Sequence, residues 1–208
     1  MRHDIDYGLE FLGEVPDIEK IYGVTATYFI QVTSDFYNPF STSQANVIDT
    51  LSKKGHRLGL HFDCSKDGDE IPGEEVHNHI DREIGLIERY FGSIDAVSFH
   101  QPSDVITGNL VKIDHINTYD REDMKGFEYF SDSAQRWSKG DPLSLIRSHH
   151  GMSFQILTHP FLWREKMLSF ADLSLKSIAV KAQNLYEYNR KYARGINDRL
   201  KCVFVNDE

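Results

Sequence analysis

Four apolar runs in this chain end in residues that ligate metals or carry protons. MRHDID supplies Asp4 and Asp6, GHRLGLHFDCS delivers His61 and Asp63, AVSFHQP closes on His100, and FQILTHP closes on His159. Asp4 and Asp6 are two apart, as are His61 and Asp63, and on an extended backbone that spacing puts both members of a pair on one side. Pro102 and Pro160, at or just beyond the last two runs, stop them as strands. Random placement would not favour strand ends for ten histidines, so one site assembled by several strands is the expectation.

Asp4-Ile5-Asp6 offers two carboxylates on one face, one to bind a divalent cation and the other to take a proton from water. A cation held by His and carboxylate ligands with an open position lowers the pKa of its water to about 7. The competing local use of Asp6 is to cap a helix beginning near Gly8. His61, ending a buried run, needs a partner there, whereas His56 begins the same run, points to its opposite end and reads as structural. Asp63 can ligate, orient a ligand histidine or start a turn, and residue type alone leaves these open. His159 is the candidate general acid, since imidazole lies near its pKa at neutrality and can protonate a leaving amine. SDSAQRW places Asp132 and Trp137 on a loop able to reach the site as an acid and an aromatic wall, and Tyr37 and Asn38 are expected to face substrate from the loop after the second strand.

Alternating strand and helix patterns must position these residues. Gly8 to Tyr22 has helical spacing with a break or restart at Pro16, and Val24 to Val32 is a β-branched, aromatic strand. A helix from about Ser43 to Lys54 precedes the strand Arg57 to Phe62, and a polar loop with Gly68, Pro72 and Gly73 follows. Glu74 to Phe91 places Val76, Ile80, Ile84, Ile87 and Phe91 on one helical stripe, leaving His77 and His79 off it. Ala96 to His100, Ile116 to Asp120, Glu128 to Ser133 and Ser153 to Thr158 read as further strands, with a brief helix starting at Asp141-Pro142. From Phe161 onward the chain reads as one or two helices packing outside the barrel. Strand–helix alternation predicts a parallel α/β fold, which places its sites at the carboxyl ends of its strands.

A length of 208 residues with 40% hydrophobic content suits one domain with a sizeable core. The formal net charge of −9, without a Lys/Arg cluster, argues against nucleic acid and favours a carbohydrate or small-molecule substrate. Cys64 and Cys202, far apart, form no disulfide framework or zinc-finger spacing, so a reducing, cytoplasmic setting is expected. No signal peptide precedes Arg2 and no apolar run approaches the roughly 20 residues of a membrane span. The first strand has almost no run-up before Asp4, an opening that a later-than-native start at Met1 would explain.

RHDID, GVTATYFI, GHRLGLHF, FHQP, SDSAQRW and LTHP stand in an order and spacing that resemble the polysaccharide deacetylase family (NodB homology, carbohydrate esterase 4), in particular its branch associated with O-antigen and capsule biosynthesis. The resemblance spans residues 1–165, with 166–208 as a helical extension packing on the same single domain. It implies a distorted (β/α)7 barrel and a metal-dependent hydrolase, commonly zinc-loaded, that removes N-acyl groups from amino sugars. Asp4 resembles the family's catalytic base and Asp6 its metal-binding aspartate; the family has these adjacent, and the intervening Ile5 leaves the two roles exchangeable. His61 resembles the first histidine of H-x-x-x-H, whose second falls here on Ser65. His100 stands where the family has the arginine of R-x-P, and it is the expected replacement ligand, with Asp63 as second choice. Asp132 and Trp137 resemble the motif that lines the groove and orients the base, and His159 the histidine that protonates the leaving amine. The expected activity is hydrolysis of an acetyl or formyl amide on a surface-glycan amino sugar. The alternatives are a cyclic amide or ureide hydrolase of the same barrel and an inactive glycan-binding member.

Overall fold

The computed structural model describes residues 1–64, 73–102, 113–149, 151–163 and 168–204. Ser65 and the polar loop at Gly68 and Pro72 lie outside the described residues. The chain divides into two compact units, Met1–Glu165 and Lys166–Glu208.

The first unit is built on seven strands: β1 (Arg2–Ile5), β2 (Thr27–Ile30), β3 (Arg57–Asp63), β4 (Ala96–His100), β5 (Ile116–Asn117), β6 (Phe127–Ser131) and β7 (Ser153–Thr158). They form one sheet in the order β5-β4-β3-β2-β1-β7-β6, and the strand pairs are parallel. This is a distorted (β/α)7 barrel, open between β5 and β6 among the described residues. With every strand running the same way, the carboxyl ends of β1, β3, β4 and β7 gather on one side. β1 is an interior strand, paired with both β2 and β7, and all four of its residues are buried. The register sets His61 opposite Ser98 and Asp63 opposite His100.

Alternation along β1 separates two environments. Arg2 and Asp4 point inward, where Arg2 also meets Tyr119. His3 points outward to α1 (Val15–Ile21); the other helices of this unit among the described residues are α2 (Thr42–Lys53), α3 (Gly73–Phe91) and α4 (Pro142–Ser148). His3 lies 2.8 Å from Glu19 of α1, which also accepts a 2.6 Å bond from the Tyr28 hydroxyl. Burial pushes the Glu19 carboxyl up, but His3 and Tyr28 outweigh it and hold it below the usual range. His56 joins this outer cluster, accepting from the Ala26 N–H at 3.4 Å and bonding the Pro16 carbonyl at 3.2 Å, so it ties β3 to β2 and α1. Gly59 is required for packing: a Cβ there would sit 2.5 Å from the Phe29 ring and 2.9 Å from the Ala96 carbonyl oxygen.

β4 and β7 have the bounds their sequences predict, and α3 buries Val76, Ile80, Ile84 and Ile87, with His77 and His79 half-buried. The segment after β1 is not one helix. A 3-10 turn at Leu9–Phe11 precedes α1, because Pro16 lacks an N–H and is accommodated only in a first turn. β5 shrinks to two residues, since Thr118 to Asp120 enter a turn in which the Asp120 N–H bonds the Asn117 carbonyl. Asp141 caps α4 by accepting from the Leu143 and Ser144 N–H groups at 3.4 and 2.9 Å.

In the second unit, the 35-residue helix α5 (Phe170–Phe204) starts from Ser169 as its N-cap. Ser169 Oγ donates to Asp172 at 2.6 Å and accepts the Asp172 N–H at 3.2 Å. No helix among the described residues is long and apolar enough to cross a membrane.

Candidate active site

Asp6 just past β1, His61 in β3 and His100 ending β4 each offer one ligand atom, all within 4.8 Å of one another. His61 Nε2 and His100 Nδ1 lie 3.2 and 3.5 Å from the same oxygen, Asp6 Oδ1, and the two rings meet edge-on. The strand register explains the orientation of His61. Ser98, directly opposite, places its hydroxyl 2.7 Å from His61 Nδ1 and 3.5 Å from Asp4 Oδ1. With that hydroxyl donating to Asp4, it accepts the Nδ1 proton and leaves Nε2 of His61 with its lone pair toward Asp6.

Those lone pairs test whether the residues fit a cation. His61 Nε2 and Asp6 Oδ1 are buried with no hydrogen-bond partner, and leaving such groups unsatisfied costs about 1–3 kcal/mol each. A divalent ion with nitrogen and carboxylate ligands satisfies both at once. Donor set and orphaned atoms therefore fit a metal.

Asp4 lies deeper, against Arg2. The guanidinium donates from Nε to Oδ1 at 2.9 Å and from Nη2 to Oδ2 at 2.7 Å, a bidentate pair with both side chains buried. Burial alone raises the Asp4 carboxyl, but Arg2 and then His61 overcome it and hold it below the ordinary value. Asp6 is likewise held low, its burial outweighed by His100 and His61. His100 is pushed up first by its contact with Asp6, against desolvation, with Asp63 adding its charge from across the strand pair.

His159 approaches Asp6 from the other flank, its Nε2 3.8 Å from Asp6 Oδ2. Its ring is fixed by Asp132, which accepts from the His159 backbone N–H at 3.1 and 2.9 Å and contacts Nδ1 at 2.6 Å. Desolvation lowers the His159 pKa, but the bond to Asp132 and the charges of Asp6 and Asp4 raise it to about 9. At neutrality His159 is a protonated imidazole with one N–H anchored and the other facing the ligand cluster.

The remaining expected residues fall elsewhere. Tyr37 is a buried strut rather than an open substrate contact: its hydroxyl donates to the Ile5 carbonyl at 2.9 Å and accepts the Gln31 N–H at 2.8 Å, which pins the end of β1 to β2. Asn38 is exposed and closes its own turn by accepting the Phe40 N–H at 3.0 Å. Asp132 is itself buried and contacts His159 Nδ1 instead of lining an open groove. Trp137 packs on Trp163, with centroids 5.5 Å apart, and it is the Trp163 indole that reaches Asp132, donating at 2.7 Å. Trp137 also lines a groove of about 580 Å³ with Val15, Ile18, Leu143 and Ile146 on the outer side of β1 and β7, away from the inward-pointing Asp4. A small cavity of about 10 Å³ adjoins Asp4, Asp6, Gly8 and Phe161. Ser65 lies outside the described residues, and His100 joins Asp6 and His61. Sequence reasoning passed over Arg2, Ser98 and Trp163. Arg2 and Ser98 each lie two residues before a singled-out residue, Asp4 and His100, and so share its strand face.

No family model matches the sequence, and no curated protein matches it. Solved structures do match the fold. The chitin deacetylase from the fungal pathogen Colletotrichum lindemuthianum aligns over 86% of this chain and 80% of its own, at 16% identity and a TM-score of 0.51. The Xyl-CE4 domain of a multidomain xylanase from the hindgut metagenome of Trinervitermes trinervoides aligns over 90% and 82%, at 12% identity and a TM-score of 0.50. A mutant CE4 family pseudoenzyme with restored enzymatic activity aligns more loosely, at 14% identity and a TM-score of 0.47, and this chain spans 62% of its length. At these identities the likeness is one of fold.

Proposed function

We propose that the chain is a metal-dependent hydrolase that removes an N-acyl group, acetyl or formyl, from an amino sugar during surface-polysaccharide biosynthesis. The observation that carries this reading is the convergence of Asp6, His61 and His100 within 4.8 Å of one another, with a buried carboxylate, Asp4, behind and the Asp132-held imidazole of His159 in front. In it, Asp6, His61 and His100 hold the divalent ion, taken to be zinc. When bound, the ion polarises the acyl carbonyl and acidifies a water. Asp4 takes the proton from the attacking water, kept ionised and aimed by Arg2. His159 delivers its Nε2 proton to the departing amine while Asp132 holds Nδ1. The structural surroundings favour this division between the aspartates, since Asp6 meets the two histidines and Asp4 meets the arginine.

The fold likeness to a chitin deacetylase supports an amino-sugar substrate, and a sugar-nucleotide or lipid-linked glycan suits the cytoplasmic setting that the two cysteines favour. One observation favours a second reading, an inactive glycan-binding protein: Arg2 occupies both oxygens of Asp4, which lowers its basicity. Elemental analysis of protein purified without added metal, paired with amine release from N-acetylglucosamine oligomers and nucleotide-linked N-acyl amino sugars, separates the two. The hydrolase reading expects one divalent ion per chain, lost in His61→Ala, together with turnover. Metal uptake without amine release from any of these substrates moves the protein to the second reading, and failure to bind metal overturns the proposed centre.

A further inference from the structure

The helix α5 carries an apolar face that is exposed. Leu175, Ile178, Leu185, Tyr186, Tyr192 and Ile196 are each 41–65% exposed. At about 100° per residue they fall within a sector of about 120° and run for about 30 Å along the axis. Asn189 also falls inside the sector, but its amide donates to the Leu185 carbonyl at 3.0 Å and so stays satisfied within the helix. The buried positions Leu173 and Ser177 lie on the opposite side. Cations border the apolar sector on both edges: Lys181 on one, Arg190, Lys176 and Arg194 on the other. Between residues 175 and 196 there are five basic side chains against a single Glu187, in a chain whose formal net charge is −9. Glu187 lies farther round the polar face and pairs with Arg190 of its own helix at 2.9 Å.

We propose that this face of α5 binds an anionic lipid surface, lying in the plane of the headgroups. An apolar sector edged by Lys and Arg matches a bilayer interface, where apolar side chains enter the acyl boundary and long basic side chains reach back to the phosphates. Tyrosine, with an apolar ring and a polar tip, suits that depth. A second copy of the helix is a poorer occupant, since it brings the same surplus of cations and no free row of carboxylates to pair with them. The acidic remainder of the chain is repelled by the same lipid, which leaves α5 as the contact. Surface attachment of this kind needs no spanning helix and agrees with the absence of one among the described residues.

Vesicle co-sedimentation of the full chain tests this without reference to catalysis. Wild-type protein is expected to pellet with vesicles of equal phosphatidylcholine and phosphatidylglycerol, to stay in solution with phosphatidylcholine alone, and to be released at high salt. A basic side chain near an anionic surface contributes about fivefold to partitioning, so Arg190→Ser with Arg194→Ser should weaken it by about thirtyfold. Ile178→Glu with Leu185→Glu should abolish it, and an unchanged circular dichroism spectrum of both variants would show that the helix persists. Equal binding to both vesicle types, no binding to either, or a stable dimer in sedimentation equilibrium that Ile178→Glu with Leu185→Glu dissolves would overturn the proposal, the last by assigning the face to a second copy.

Discussion

Asp4 and His159 are each clamped by a partner of opposite charge, and the clamps set opposite tasks. Arg2 holds the Asp4 carboxyl below its ordinary value, as the proposed base requires, and Asp132 raises the His159 imidazole, as the proposed acid requires. Because the proposed mechanism assigns one to the water and the other to the leaving group, the two should fail differently when removed. His159→Ala is expected to lose about 10²-fold or more on amide substrates and much less on activated esters, whose leaving group departs without a proton. Asp4→Asn should lose comparable rate on both, since attack by water is common to them. Parallel kcat/KM measurements on an N-acetyl amide and an acetyl ester check this, and equal losses for His159→Ala would demote it to a structural residue. Arg2 explains why Asp4 is the deeper carboxylate, yet its role was hard to read. An arginine opening a strand reads as solvent-facing until the barrel curls over it, even though its two-residue spacing from Asp4 already put both on one face.

Elements carry the site by register, and the register depends on close packing between strands. Gly59 lies where the Phe29 ring of β2 and the Ala96 carbonyl of β4 crowd β3, so that His61, two residues on, faces Ser98. Gly59→Ala should therefore destabilise the fold by about 1–3 kcal/mol through overpacking. Denaturant titration with unchanged m-value reads that loss, and a variant as stable as wild type would mean that β2 and β3 slide freely. Strands β4 and β7 were legible to the residue because apolar runs stop at prolines, and the α3 stripe was legible because its spacing is regular. Tyr37 was not, since a tyrosine in a polar loop looks like a ligand contact until Ile5 and Gln31 are seen to use its hydroxyl. The motif SDSAQRW points to Trp137 as the aromatic near the site and leaves Trp163 unremarked. Only the turn after β7 decides which indole reaches Asp132.

At the scale of the whole molecule, the site concentrates the carboxylates Asp4, Asp6 and Asp132 in one corner of the fold and balances them with Arg2, His100 and His159. Folding therefore takes up a proton between the ordinary imidazole value of 6.5 and the folded value of about 9. His159 has a folded pKa of about 9 against an ordinary 6.5, so its stabilising contribution is fully present below about pH 6.5 and is lost as pH rises through 9. The size of the effect is about 3 kcal/mol at most. His100, also raised, acts in the same direction. Metal-free protein should accordingly show a melting midpoint that falls between pH 6.5 and 9. Asp132→Asn should flatten that slope, because it removes the hydrogen bond that is the largest influence raising His159. Zinc loading should flatten it too, since an ion on Asp6 cancels a charge that now favours the imidazolium. Calorimetric scans of the stripped and zinc-loaded protein across this range supply the measurement. A midpoint in the stripped protein that stays level from pH 6.5 to 9 would mean that His159 is neutral in the folded state and starts catalysis without the proton assigned to it.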